Sequence, residues 1–186
     1  MSFDIDRIVR TFKPEKRTAA LTLRSSVDLI AISAAITRRP VVPDATVYMH
    51  GGQGRLPPQV ATIVQQWPLL HCAVALGEIA HGIGRLDPGH PQTPRRRAYL
   101  ESVLRQIPQH RIIAPGDDVH VSAGILTGIL ARLLRLPGGG HRLRINDVLI
   151  CLTALKSGAA VLTANIGDFD LVQQLVPSAE IIYYAA

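Results

Sequence analysis

Asn146-Asp147-Val148-Leu149-Ile150-Cys151-Leu152-Thr153-Ala154-Leu155-Lys156-Ser157-Gly158-Ala159-Ala160-Val161-Leu162-Thr163-Ala164-Asn165-Ile166-Gly167-Asp168-Phe169 is the stretch that decides the fold. Asn146 opens a helix that runs to about Ser157, and Gly158 supplies the usual C-terminal stop. Ala159 to Thr163 then reads as a strand with no polar residue before its last position. A second helix follows from Asp168 to Leu175. A strand that is apolar throughout and lies between two helices belongs to a parallel sheet covered on both faces.

The same alternation extends outward. Val41-Val42 is a short first strand, and Pro57-Pro58 opens a helix to about Trp67, since proline is tolerated in a first turn. Leu69 to Ala75 reads as a second strand and Leu76 to Leu86 as its helix. Thr93 is the expected N-cap, with Pro94 at the first position, of a helix to Gln106. Arg111 to Ala114 is a third strand. Asp117 or Asp118 caps a long apolar helix to Leu136, which Gly138-Gly139-Gly140 ends, and Ile181 to Tyr184 is the last strand. The expectation is an α/β fold with a five-stranded parallel sheet flanked by helices over residues 40–186. Residues 1–39, with a helix-compatible pattern from Thr18 to Thr37, form an N-terminal extension that Arg38-Arg39-Pro40 ends.

With 47% hydrophobic and 18% charged residues, the chain can bury a core without disulfides, and wholesale disorder is excluded. Its two cysteines, Cys72 and Cys151, lie in apolar runs and read as buried thiols suited to the cytoplasm. No apolar run is long enough to span a bilayer. The net charge of +6 favours polyanionic partners, nucleic acid above all. Aromatic residues make up only 4%, too few for a base-stacking platform, so phosphate contacts and shape would carry recognition. His50, His71, His81, His110, His120 and His141 are scattered without a metal-binding spacing, and no role is assigned to them.

Acids are scarce, 14 in all, yet several fall where a strand ends or a helix begins. Asp44 leaves the first strand, Glu78 lies early in the helix after the second, Asp147 starts the helix before the fourth, and Asp168 follows the fourth. In a parallel sheet these positions share the carboxyl edge, where such folds place their sites. Carboxylates a few ångströms apart repel by roughly 3–4 kcal/mol per pair at an effective dielectric near 20. Four of them without thiolate or imidazole suit a hard divalent ion, Mg²⁺ or Mn²⁺, which activates water for phosphodiester hydrolysis. Asp147 and Asp168, each taken alone, are better read as helix caps or first-turn acids.

Four local patterns now resemble the PIN-domain family, and within it the VapC-like toxins. They are Asp44-Ala45-Thr46-Val47, Val74 to Gly82 around Glu78, Asn146 to Ile150 leading into Thr153-Ala154-Leu155, and Gly158 to Phe169. Their order across residues 41–184 matches the family's. The resemblance implies a Rossmann-like five-stranded sheet and a Mg²⁺- or Mn²⁺-dependent endoribonuclease, the toxin of a type II toxin–antitoxin pair. It implies Asp44, Glu78, Asp147 and Asp168 as the metal-binding and catalytic set. Thr163 matches a hydroxyl residue near the metal, and Asn165 a position that fixes the turn. The alternative is a catalytically inactive PIN-like module that binds RNA or regulates.

The chain departs from the family in its roughly forty-residue extension, in Pro43, which should shorten the first strand or leave it at an edge, and in a generous loop from Gly138 to Arg144. Asp170 reads either as support for the metal site or as a solvated first-turn acid. Arg55, Arg142 and Arg144 flank the acids and are candidates for RNA phosphate contacts, with solvated loop arginines as the plainer reading. The partners implied are an RNA substrate and an antitoxin protein. The apolar surface of the helix after Val119 further suggests a homodimer.

Overall fold

The computed structural model describes residues 3–33, 38–135 and 145–186; Gly138 to Gly140, His141, Arg142 and Arg144 lie outside them. The elements are α1 (Ile5–Phe12), α2 (Ser26–Ser33), β1 (Val41–Pro43), α3 (Ala45–Gly52), α4 (Pro58–Gln66), β2 (His71–Cys72), α5 (Ala73–Gly84) and α6 (Thr93–Gln106). There follow β3 (Ile112–Ile113), α7 (Asp117–Leu133), α8 (Ile145–Lys156), β4 (Ala160–Thr163), α9 (Ile166–Leu175) and β5 (Ile181–Tyr183).

Every strand pairing is parallel. β1, β4 and β5 form one sheet in the order β1-β4-β5, and β2 pairs with β3 in a second. A lone parallel bridge, Val41 to Leu69, joins the two and gives the overall order β3-β2-β1-β4-β5. The single five-stranded sheet expected from the sequence is therefore split, and Pro43 accounts for the split. Val41 donates its N–H to Pro68 and accepts from Leu70, so odd-numbered residues of β1 face β2, whereas Asp44 donates to Leu162 of β4. Two residues beyond Val41, the next N–H toward β2 would come from Pro43, which has none. Pro43 does not leave β1 at an edge; it interrupts the ladder on one side of a central strand.

Alternation along the strands makes two cores, because successive side chains leave a strand on opposite faces. Val42, Val161, Ile181 and Tyr183 face the larger core with α7, α8 and α9. Val41, Ala160, Leu162, Ile182 and Tyr184 face the smaller one with Val47 of α3 and Val60 of α4.

Several sequence expectations shift. The second strand is shorter than Leu69 to Ala75, and α5 takes over at Ala73. A short apolar run does not distinguish strand from helix by periodicity, and here Ala75 and Ile79, four residues apart, are the buried pair. α3 was not expected at all; Thr46, Val47 and Tyr48 are poor helix formers, and its start depends on Asp44 as N-cap. Gln92, not Thr93, precedes α6, and Gly116 precedes α7. The Asp118 carboxylate instead takes the Lys156 ammonium at 2.7 Å.

Residues of the extension join the larger core through Ile8, Phe12 and Leu29. α1 lies on α7, covering apolar surface that in the sequence pointed to a second copy. α2 lies along β5, where Ser33 Oγ accepts the N–H of Tyr183 at 3.2 Å. Among the described residues no helix is long and apolar enough to cross a membrane.

Candidate functional site

The chain leaves β1 toward β2 and β3 and later returns on the other side to β4 and β5. Such a reversal opens a crevice outside the carboxyl ends of the two central strands, here β1 and β4. Asp44 follows β1 directly and Thr163 ends β4. Asp168 lies in the first turn of α9, just past β4. Glu78 lies in the helix that continues β2, and Asp147 in the first turn of α8, whose return leg is β4.

Asp44 is the best-defined member. It is 3% exposed. Its Oδ1 accepts the Thr46 N–H at 2.8 Å and the Thr46 hydroxyl, and its Oδ2 accepts the Thr163 hydroxyl at 2.7 Å. Burial outweighs these bonds and pushes its carboxyl up to about 6. Its negative charge is thus incompletely compensated by its surroundings.

The hydroxyl of Thr163 also accepts the Asn165 N–H at 2.8 Å, and the Asn165 side-chain amide donates to Asp168 at 3.2 Å. Asp44, Thr163, Asn165 and Asp168 are therefore one connected group. Separately, the Asn146 side-chain amide donates to Glu78 at 2.9 Å, tying α5 to the residue before the buried Asp147. Of the acids, Asp44 is the helix cap, a role the sequence suggested for Asp147 or Asp168.

Carboxylate oxygens with a threonine hydroxyl suit a hard divalent cation in kind, and the under-compensated charge of Asp44 is of the sign such an ion would relieve. Among the described residues, however, no three His, Cys, Asp or Glu side chains are grouped so as to hold a metal ion. Among the described residues Glu78 accepts from a neutral amide, and Asp44 has neutral hydroxyls and a backbone amide.

The remaining candidates divide clearly. Asp170 is 1% exposed and belongs to the extension's attachment: Arg24 gives it a backbone N–H at 2.8 Å and a guanidinium N–H at 2.6 Å, and Gln174 adds a third donor. It is neither solvated nor linked by these bonds to Asp168. Arg55 donates to the Gln53 side chain and to the Ala186 carbonyl. Arg142 and Arg144 lie outside the described residues.

Sequence reasoning passed over an aromatic and imidazole fringe around Asp44. The Tyr48 hydroxyl meets His71 Nδ1 at 2.6 Å, and His50 Nδ1 meets the Tyr184 hydroxyl at 3.0 Å. Burial, then the charge of Asp44, raises the Tyr48 phenol; burial likewise pushes Tyr184 up to about 12. A signal was present: Thr46 and His50, four residues apart, would share one face of a helix had the Asp44 cap been recognised.

No protein-family model and no curated protein matches the sequence. Solved structures match the fold. The VapBC2 complex of Rickettsia felis, bound to a DNA fragment from its promoter, contains a chain 15% identical with a TM-score of 0.54, covering 78% of this chain and 99% of that one. FitAcB from Neisseria gonorrhoeae gives 15% identity and a TM-score of 0.53 over 76% and 95% of the two chains. VapBC-1 from nontypeable Haemophilus influenzae gives 16% and 0.52 over 79% and 98%. The likeness is one of fold, which this chain shares with chains of these VapBC and FitAB complexes and which agrees with the PIN-like fold expected from the sequence.

Proposed function

We propose that this chain is a metal-dependent endoribonuclease, the toxin of a toxin–antitoxin pair, acting on RNA in the cytoplasm. The observation that supports it most is the position of Asp44, Glu78, Asp147 and Asp168 along one carboxyl edge, around the reversal between β1 and β4, in a PIN fold. In this reading Asp44, Glu78, Asp147 and Asp168 hold Mg²⁺ or Mn²⁺. When bound, the ion lowers the pKa of water and neutralises charge developing on the phosphodiester. Thr163 keeps Asp44 oriented, Asn165 does the same for Asp168, and Asn146 for Glu78. Arg55, Arg142 and Arg144 hold strand phosphates. An antitoxin partner is suggested by the VapBC complexes that share the fold, and the protein acts as a homodimer.

One observation favours a second reading, an inactive PIN-like module that binds RNA or regulates: no three acids are grouped for a metal among the described residues. The test is cleavage of single-stranded RNA with added Mn²⁺ or Mg²⁺ by the parent protein and by Asp147→Asn. Cleavage by the parent, lost by about a hundredfold or more in the variant, is expected. A Mn²⁺-dependent rise in the parent's melting temperature, absent in Asp147→Asn, should accompany it. RNA binding without cleavage, and without that rise, would favour the module. Equal cleavage by both proteins would remove Asp147 from the mechanism.

A further inference from the structure

We propose that His50, together with Arg55, binds a backbone phosphate of the RNA strand beside Asp44. The inference rests on the ribonuclease reading and deepens it by assigning substrate binding to residues outside the acidic set. Thr46 and His50 stand four residues apart and so share one face of α3. The Tyr184 hydroxyl lies on that face, 3.0 Å from His50 Nδ1 and beside the Thr46 hydroxyl, which donates to Asp44. The two rings meet edge to face, with centroids 5.8 Å apart at 82°. A file of polar groups thus leads from a buried carboxylate to an imidazole that is only half-buried.

With Nδ1 engaged by Tyr184, Nε2 has no hydrogen-bond partner among the described residues. A phosphate oxygen at Nε2 would select the tautomer protonated there, and the Tyr184 hydroxyl would turn to donate to Nδ1. Burial and the charge of Arg55 hold the imidazole below its usual range, so at neutral pH it offers a neutral N–H.

Arg55 supplies the charge, and its place is fixed by the end of α3. Gly54 adopts the left-handed conformation, φ 66°, its N–H donates to Gly51 at 3.2 Å, and the Arg55 N–H donates to His50 at 2.9 Å. This turn locks Arg55 to the residue whose imidazole it accompanies. Arg24, Arg39, Arg97, Arg105 and Lys156 each pair with a carboxylate. Arg55 instead has no acidic side chain as partner among the described residues, and donates to the Gln53 side chain and to the main-chain oxygen of Ala186.

The test measures binding of a short labelled single-stranded RNA, and of DNA of the same sequence, to Asp147→Asn, which retains the strand uncut. Adding His50→Ala or Arg55→Ala should weaken binding of both strands roughly five- to tenfold, because a phosphate contact reads neither base nor sugar. Arg55→Ala should also lower the salt dependence by about one charge. His50→Gln should restore most of the binding, and His50→Asn, which keeps a group on the Tyr184 side without the reach of Nε2, should not. His50→Asn serves where His50→Ala does not fold. In the parent background the same changes should raise KM with kcat nearly unaltered. Unchanged binding in His50→Asn, while the parent still cleaves RNA, would overturn the subsite alone. A protein that neither binds nor cleaves RNA would overturn the ribonuclease reading and the subsite with it.

Discussion

The Thr163 hydroxyl donates to Asp44 Oδ2 at 2.7 Å, from the last residue of one central strand to the residue just past the other, and both are buried. The bond closes the top of the β1–β4 pair and holds a carboxylate where water scarcely reaches it.

That carboxylate should weaken the fold as it ionises. Its folded value, about 6, lies above the usual 3.8 of an aspartate in water, so the folded state binds more protons between those pH values. Stability should therefore fall as pH rises from about 4 to above 6, by about 2–3 kcal/mol at most. Asp44→Asn keeps an oxygen for Thr46 and escapes this loss. In chelator-containing buffer, urea unfolding should find the variant close to the parent at pH 4.5 and more stable than it at pH 7.5. A variant less stable than the parent at pH 7.5 would contradict the account.

Arg24 should be the extension residue whose loss costs most. Its guanidinium meets a carboxylate that is 1% exposed, and its removal leaves Asp170 with the Arg24 backbone N–H and Gln174 only. Arg24→Ala should cost about 2 kcal/mol, less than for a fully buried pair because Arg24 is itself partly exposed. Arg97→Ala, which breaks a surface pair with Glu101, should leave the unfolding midpoint unchanged. Equal effects of the two substitutions would mean that the extension is not anchored at Asp170.

Much of this was legible because the strongest signals were local. The run from Asn146 to Phe169 carries a helix, a stop glycine, an apolar strand and another helix, and each formed within a residue or two of its expected place. The parallel arrangement followed from that alternation. What was not legible depended on pairing. Whether Pro43 ends a strand or breaks one ladder depends on which neighbour its nitrogen faces, and the sequence has no record of that. α3 was hidden because its residues favour strands and only the Asp44 cap commits them to a helix. The acids could be placed at one edge from topology, whereas their partners Asn146, Thr163 and Arg24 come from segments up to 146 residues away.

Both cysteines should be silent in the native protein. Burial, then the nearby Asp147 charge, pushes the Cys151 thiol up to about 12, and burial also raises Cys72. The reactive thiolate is accordingly scarce at pH 8. A chromogenic disulfide reagent should release almost no colour from folded protein within minutes and two equivalents in denaturant, matching the two cysteines. Rapid labelling of either thiol under native conditions would mean that its helix or strand opens readily.

Ser33 meets the outward N–H of Tyr183 at the free side of β5, a position where a further strand would otherwise dock. Exposed strand borders act as templates on which foreign chains assemble into fibres, and natural proteins blunt them. Here the blunting is done by one hydroxyl carried on the chain's own leading segment. The segment is thus a guard for the sheet's open margin, and its loss would leave a three-residue strand ready to recruit strangers.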